Sequence, residues 1–361
     1  MVSMEQYLQY HGLLLPPQAH SLESLRYAEK FPVEDSDVFA VTYPNSAMSS
    51  EDLYLRHHGL LLPRETHCAQ SLRFAQEFKF RDDDVMVATY PKSGTTWMQE
   101  ILPLVLNGAD LTPIHTVPNW DRVPWLEEKR LALVVDQLTS PRGMVTHLPF
   151  HLMPPSFHAS KAKVIYVMRN PKDVAVSSYH FHKMAQFLET PATFDEFLER
   201  FLQGKVMFGK WSDHVKSWRR SGLGGRILFI TYEEMVQGWP VAVELCEDDR
   251  LLLYVNVPLF QDLGAAVGRV SEFLGCELSE EATQRIVEHC SFGTMKNNRM
   301  SNFSLVPKVY MDHDTSPFLR KGIVGDWKNH FGPEQLASFS SVIRKEMEGE
   351  MEGAALPWSL E

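Results

Sequence analysis

Cysteine is scarce in this chain and poorly placed for structural duty. Cys68, Cys246, Cys276 and Cys290 are scattered, with no C-x-x-C pair and no histidine at metal spacing. That excludes a zinc ribbon and a disulfide-stapled fold, and it leaves free thiols suited to a reducing compartment. No apolar run is long enough to span a bilayer, and the first residues lack a basic segment followed by an apolar stretch. Positive charge is short as well: 35 Lys and Arg stand against 46 Asp and Glu, a formal net charge of -11. Such a chain is a poor non-specific binder of nucleic acid, so any anion site must be assembled locally from few cations. The expectation is a soluble cytoplasmic protein with no metal, no nucleic-acid partner and no membrane span. Its 361 residues allow one large α/β domain or two small ones.

Also missing is the Walker order G-x-x-x-x-G-K-[ST]. What stands in its place is an apolar strand over 85–89 (VMVAT), a loop of small and polar residues over 90–97 (YPKSGTTW), and an amphipathic helix reaching Leu106. A strand feeding a helix through such a loop favours an anion, because the first helical amides have no internal partners and the helix dipole points at the loop. Lys92 supplies a charge, Gly94 a close backbone approach, and Ser93, Thr95 and Thr96 hydroxyls. Lys92 precedes Gly94 and no upstream glycine exists, which argues against ATP hydrolysis and against a P-loop nucleotide kinase. Taken alone, an ordinary βα turn with a chance lysine would read much the same.

Further along, VPNWDRVPW (117–125) reads as an apolar wall, either pocket or core. A short strand over 143–146 ends at His147, and a histidine at the carboxyl end of a strand lies where open α/β sheets bind ligands. The clearest buried strand spans 163–168; Asn170 as N-cap, Pro171 and Asp173 then start a helix, so that Arg169 and Ser177 flank a second strand-to-helix junction. A third such strand, RILFIT (226–231), ends at Tyr232. Near the C-terminus, Arg320-Lys321-Gly322 offers two cations and a close backbone approach.

Two features break this order. Residues 7–46 match 54–93 without gaps at roughly half of the positions, but Asn45 and Ala47 stand where the second copy has Lys92 and Gly94. Residues 1–47 are therefore expected to be a non-catalytic extension of a domain spanning 48–361. Residues 238–261 interrupt a natural join between a strand end and the helix that follows; loops of that length are functional or disordered more often than not. Both features fit an exon used twice and an intron read through.

TYPKSGTTW (89–97), THLP (146–149), RNPKDVAVS (169–177), ITYEEM (230–235) and RKGIVGDWKNHF (320–331) together resemble the cytosolic sulfotransferase family, in its order and approximate spacing. The resemblance covers 50–361 apart from the interruption. The VPNWDRVPW wall, SKAKVIYVMRNPKDV (160–174) and the LPW tail look most like the hydroxysteroid (alcohol) branch, sulfotransferase family 2. The resemblance implies a single α/β domain with a central, mostly parallel five-stranded sheet flanked by helices. It implies transfer of a sulfuryl group from 3′-phosphoadenylyl sulfate (PAPS) to an acceptor hydroxyl, with PAP as product and no metal. By this resemblance Lys92 would stabilise charge on the leaving phosphate oxygen, and Ser93, Gly94, Thr95 and Thr96 would hold the 5′-phosphosulfate. Trp97 and Phe292 would pack on the adenine, with Tyr232 at its edge and Cys290, Ser291 and Met295 around them. Arg169, Ser177 and Phe318-Leu319-Arg320-Lys321-Gly322 would hold the 3′-phosphate end. His147 would be the general base, a role a neutral imidazole near pH 7 suits. Trp120, Trp125 and Phe150, with Phe157 and Phe181, would line an apolar pocket for the acceptor, a sterol-like alcohol or a phenol.

The chain departs from the family pattern in places. Two residues before His147, where some relatives carry a lysine, stands Val145; the steroid branch likewise has an apolar or small residue there. The dimer signature K-x-x-x-T-V-x-x-x-E starts at Lys328 but continues with Gly332-Pro333 and Ala337, which points to a monomer or a weak homodimer. The 238–261 interruption lies close behind Tyr232, so a catalytically disabled PAP- or PAPS-binding protein of the same fold is the competing reading.

Overall fold

The computed structural model describes residues 8–10, 13–15, 50–237 and 263–350, together with Trp358. The strand expected over 39–41, the interruption at 238–261 and the LPW tail apart from Trp358 lie outside the described residues. The chain divides into two compact units, Met1–Ala47 and Met48–Glu361. In the first, strands β1 (Leu8–Tyr10) and β2 (Leu13–Leu15) pair antiparallel, Leu8 opposite Leu15. In the second, β3 (Tyr54–His57) and β4 (Leu60–Pro63) form the equivalent hairpin, Leu55 opposite Leu62. The sequence repeat thus encodes one hairpin twice, in one register. In the second copy His58 and Gly59 both take positive φ, 47° and 83°, as a two-residue turn matched to strand twist requires.

The centre of the second unit is a parallel sheet of β5 (Val85–Thr89), β6 (Gly143–Thr146), β7 (Lys163–Met168) and β8 (Ile227–Thr231), in the order β6-β5-β7-β8. The five strands expected are four among the described residues. Beyond β6 the sheet continues only as a single parallel bridge, Trp125 to Val145. All five residues of β5 are buried, as a central parallel strand covered on both faces should be. Met86 and Ala88 pack into one core with Tyr166 and Trp218; Val85 and Val87 pack into another with Ile101 and Val167. This is the two-residue alternation of a strand.

The sheet order fixes where a ligand can sit. The chain leaves β5 for β6 on one side, and leaves β7 for β8 on the other. The carboxyl ends of β5 and β7 therefore border a topological switch point, the crevice that open α/β sheets use. Register aligns Ala88 with Thr146 and Thr89 with Val167, which brings Thr89, His147 and Arg169 to one rim. Helices α1 (Thr95–Leu106) and α2 (Pro171–Met184) start from that rim.

At the opposite end the sheet is held by a buried ion pair. Arg142 donates to both oxygens of Asp84, at 2.8 and 2.6 Å, and to the Lys79 carbonyl at 2.9 Å. Their side chains are 6% and 0% exposed. Removing one partner of such a pair strands the other charge. Asp84→Ala is expected to lower stability by about 3–5 kcal/mol, measured by urea denaturation; a loss under about 1 kcal/mol, typical of an exposed pair, would contradict this account.

Candidate active site

The loop after β5 is shaped by its backbone. Tyr90 is anchored in the core by its hydroxyl, which donates to the Gly209 carbonyl at 2.8 Å. Lys92 then takes a left-handed conformation, φ 68°, and Gly94 follows with φ 113° as N-cap of α1. No side chain caps this helix, so its first amides remain open to a ligand. A Cβ on Gly94 would lie 3.1 Å from Met235 Cε and 3.2 Å from Tyr232 Cδ2; glycine is required by conformation and by space. Ser93 is buried, and its hydroxyl has no partner and does not line the cavity described below.

Lys92 Nζ lies between two aromatic faces, 4.3 Å from the Phe181 centroid and 4.1 Å from that of Phe318. Burial, with the nearby charges of Arg169 and Arg320, lowers its pKa from 10.5 to about 7. Arg169 spans the crevice. Its Nη1 donates to the Lys92 carbonyl at 3.0 Å, its guanidinium lies 3.9 Å over the Tyr232 ring, and its buried Nε has no partner. Trp97 meets Tyr232 edge-on, with ring centroids 5.6 Å apart.

The Arg320-Lys321-Gly322 turn is carried on a segment tied to α2. Asp173, in the first turn of α2, accepts from the amides of Gly325 at 2.7 Å and Trp327 at 3.0 Å. Both cations of the turn are engaged within the chain: Arg320 Nη2 and Lys321 Nζ each lie 2.6 Å from a carboxylate oxygen of Asp326. Burial works against the Asp326 carboxylate, but bonds from Lys321, Asn329 and Arg320 outweigh it and hold its pKa well below the usual carboxylate range. A Cβ on Gly322 would fall 2.2 Å from Phe292 Cδ2, so this glycine sets how closely the turn approaches the ring.

His147 stands just past β6. Its Nδ1 lies 2.8 Å from the Thr89 carbonyl oxygen, and its backbone amide donates to Glu127 Oε1 at 2.7 Å. Glu127 Oε2 accepts from Thr146 Oγ1 at 2.8 Å. The Nδ1 bond fixes the tautomer and leaves Nε2 with a lone pair. Burial lowers the His147 pKa to about 4, against the Thr89 bond and with the help of the Lys92 charge. The imidazole is therefore neutral at pH 7. Burial also lifts the Glu127 carboxyl to about 7, although the His147 amide and the Thr146 hydroxyl favour its ionised form.

These groups share one cavity of about 420 Å³. Lys92, Gly94, Thr95, Thr96 and Trp97 line it, as do Arg169, Ser177 and Tyr232. Phe292, Met295 and the run from Phe318 to Gly322 close the anion end; Trp120, Trp125, His147 and Phe181 form the apolar end. Besides Ser93, four expected residues lie elsewhere. Phe150 packs against Phe157 and Trp218, and Phe157 is fully buried, so both belong to the core behind His147 rather than to the pocket. Cys290 is likewise buried in the core, at the end of a helix (Glu280–His289). Ser291 faces an adjoining cavity of about 380 Å³, shared with Trp97, Phe292 and Gly322, and caps the Phe292–Asn297 helix. Phe208 and His67 line the apolar end without having been singled out in the sequence. Among the described residues no cluster of His, Cys, Asp and Glu could hold a metal ion.

The family model described as "Sulfotransferase domain" matches residues 82–247 and 242–350. Sulfotransferase 2B1 of Mus musculus is 44% identical over 345 residues, covering 95% of this chain and 81% of that protein. The 3-alpha-hydroxysteroid sulfotransferase of Cavia porcellus is 37% identical over 341 residues, covering 94% of each. Among solved structures, retinol dehydratase in complex with androsterone and inactive cofactor PAP matches with TM-score 0.63 and 26% identity, covering 82% of this chain and 89% of that one.

The depressed pKa of Lys92 has a measurable consequence. Above about pH 7 the free protein holds Lys92 largely neutral. A bound anion compensates the charge and raises the pKa back toward 10.5. Anion binding at about pH 8 should therefore take up close to one proton. Calorimetry in buffers of different ionisation enthalpy checks this: heats that vary with the buffer, and cease to vary in Lys92→Met, are expected; heats independent of the buffer in the parent chain would contradict it.

Proposed function

Because this chain belongs to the sulfotransferase family, we propose that it moves a sulfuryl group from PAPS to the hydroxyl of a small hydrophobic acceptor, a hydroxysteroid or related alcohol. The observation that carries the reading is the single cavity shared by a neutral imidazole with a free Nε2, a buried lysine and an open helix N-terminus. In this reading His147 Nε2 takes the acceptor's proton as its oxygen attacks sulfur. Lys92 and the amides at the start of α1 meet the charge that develops on the phosphate oxygen as it leaves. Arg169, Ser177, Arg320 and Lys321 hold the 3′-phosphate, and Trp97, Phe292 and Tyr232 the adenine. Trp120, Trp125 and Phe181 give the acceptor an apolar bed, and relatives of the hydroxysteroid branch support a steroid alcohol over a phenol. Residues 1–47 are a non-catalytic extension in this account, and the protein acts in the cytoplasm as a monomer or weak homodimer.

A disabled, binding-only form is the second reading. It is favoured by the two family-model matches meeting at residues 242–247, inside the interrupting segment. Transfer of labelled sulfate from PAPS to a hydroxysteroid and to a simple phenol decides between them, using the full chain and a chain lacking 238–261. Turnover by both supports the enzyme reading. Turnover only after the deletion supports the disabled form, and silence from both would leave only binding. In whichever chain is active, His147→Ala should lower turnover by roughly 10²–10⁴-fold and leave PAP affinity nearly unchanged. Comparable rates in mutant and parent would remove His147 from the chemistry.

A further inference from the structure

His147 is a weak base in the free protein, and the hydrogen bonds behind it suggest how binding changes that. We infer that the hydroxyls of Thr89 and Thr95 form a one-way hydrogen-bond chain that makes His147 more basic when an anion occupies the loop of residues 90–97. Thr89 is then a positioning residue for the base. The inference rests on the reading of His147 as the general base.

The direction of the chain follows from donor and acceptor counting. His147 Nδ1 lies 2.8 Å from the Thr89 carbonyl oxygen and 3.1 Å from Thr89 Oγ1. A carbonyl oxygen only accepts, so Nδ1 carries the proton, and Thr89 Oγ1 can only accept from it. The Thr89 hydroxyl proton is then left for its other partner, Thr95 Oγ1, at 2.6 Å. Thr95 accepts that bond and keeps its own proton. Thr89 is fully buried, whereas Thr95 is 6% exposed and lines the cavity beside Lys92 and Gly94. The chain thus runs from the base through two hydroxyls and ends in a donor at the anion site.

An anion accepting from Thr95 forms a charge-assisted bond. That makes Thr95 Oγ1 a better acceptor for Thr89, and Thr89 Oγ1 a better acceptor for the Nδ1 proton, since bonds in a chain polarise one another. Electron density gained at the imidazole raises the proton affinity of Nε2. By linkage, a protonated His147 in turn favours the anion.

The field of the anion acts on His147 directly as well, so the test removes the chain and keeps the field. Thr89→Val deletes one hydroxyl at constant shape; the backbone carbonyl still fixes the tautomer. The other titratable groups about His147 stay in place: Lys92 in the loop, Glu127 at its amide, His67 shortly after β4, and His214 in the Trp211–Arg219 helix. NMR titration of the His147 ring, with and without PAP, reads its proton affinity without requiring turnover. In Thr89→Val with PAP bound, His147 is expected to hold its proton about three to ten times more weakly than in the parent. The two proteins should differ little without PAP, and Thr89→Ser should restore the parent behaviour. The same PAP-induced change in Thr89→Val as in the parent would overturn the inference. Thr89→Ala, which also lacks the hydroxyl, serves if the valine variant does not fold. If PAP binds but no sulfate is transferred from PAPS, the enzyme reading fails while the titration still decides the chain. If PAP does not bind, inorganic phosphate takes its place, and phosphate leaving His147 unchanged in the parent overturns the inference.

Discussion

The constraint on which this site depends is the gathering of four cationic side chains against which one paired carboxylate, that of Asp326, offsets only part of the charge. Lys92, Arg169, Arg320 and Lys321 all line one cavity at the carboxyl ends of β5 and β7. Each is accommodated differently. Lys92 lies between the Phe181 and Phe318 rings, contacts worth about 0.5–2 kcal/mol each. Taking an ammonium out of water costs several kcal/mol, so the rings do not suffice and the lysine's proton affinity falls instead. Arg169 spreads its charge over the Tyr232 face and onto the Lys92 carbonyl. Arg320 and Lys321 share the one Asp326 carboxylate. A ligand bearing two phosphates would offer anionic partners to all four side chains together.

The same constraint explains why the neighbouring acids lie where they do. Asp173 accepts two amides of the segment carrying the cations and holds that segment against the start of α2, where a carboxylate also favours the helix dipole. Glu127 meets the His147 amide and the Thr146 hydroxyl. Neither acid faces an arginine or lysine across the cavity as a fixed counter-ion. Had they done so, the site would be neutral at rest and would have little left to offer an anion.

Much of this was legible in the sequence because it is local. A strand, a loop with Gly94 and a helix are adjacent in the chain, and so are β6 and His147, or β7, Arg169 and Ser177. Less legible was whatever depends on two distant segments meeting. Phe150 follows His147 by three residues, and proximity in sequence suggested the pocket; the short turn over Phe150–Leu152 instead directs it toward Trp218. Cys290 sits one residue before a helix cap that does face a cavity, yet helical rotation places it in the core. Thr89 reads as the last residue of a buried strand, and only the register of β5 against β6 shows that its two oxygens meet His147. Asp326 gave no sign of neutralising the cations five and six residues before it, since an Asp near Arg and Lys in sequence is commonplace. A fifth strand is not among the described strands; next to β6 stands one bridge, Trp125 to Val145.

The repeated segment separates these two kinds of information within one chain. Both copies pair their strands in the same register, and both carry the same His-Gly pair followed by three consecutive leucines in sequence. Chemistry does not repeat with it. The second copy carries Lys92 and Gly94, and its sequence runs on into a helix whose first amides no side chain caps. The first copy has Asn45 and Ala47 at the corresponding positions, and the second copy begins at Tyr54, within the stretch such a helix would occupy. Alanine at the position of Gly94 would have to take φ 113° with its Cβ against Met235 and Tyr232. Such a conformation is strained for any residue with a Cβ. A local motif can be duplicated with its stretch of chain, whereas an anion site needs the strand, the glycine, the cation and the partner loops of β6 and β7 at once, and among the described residues one such set is present.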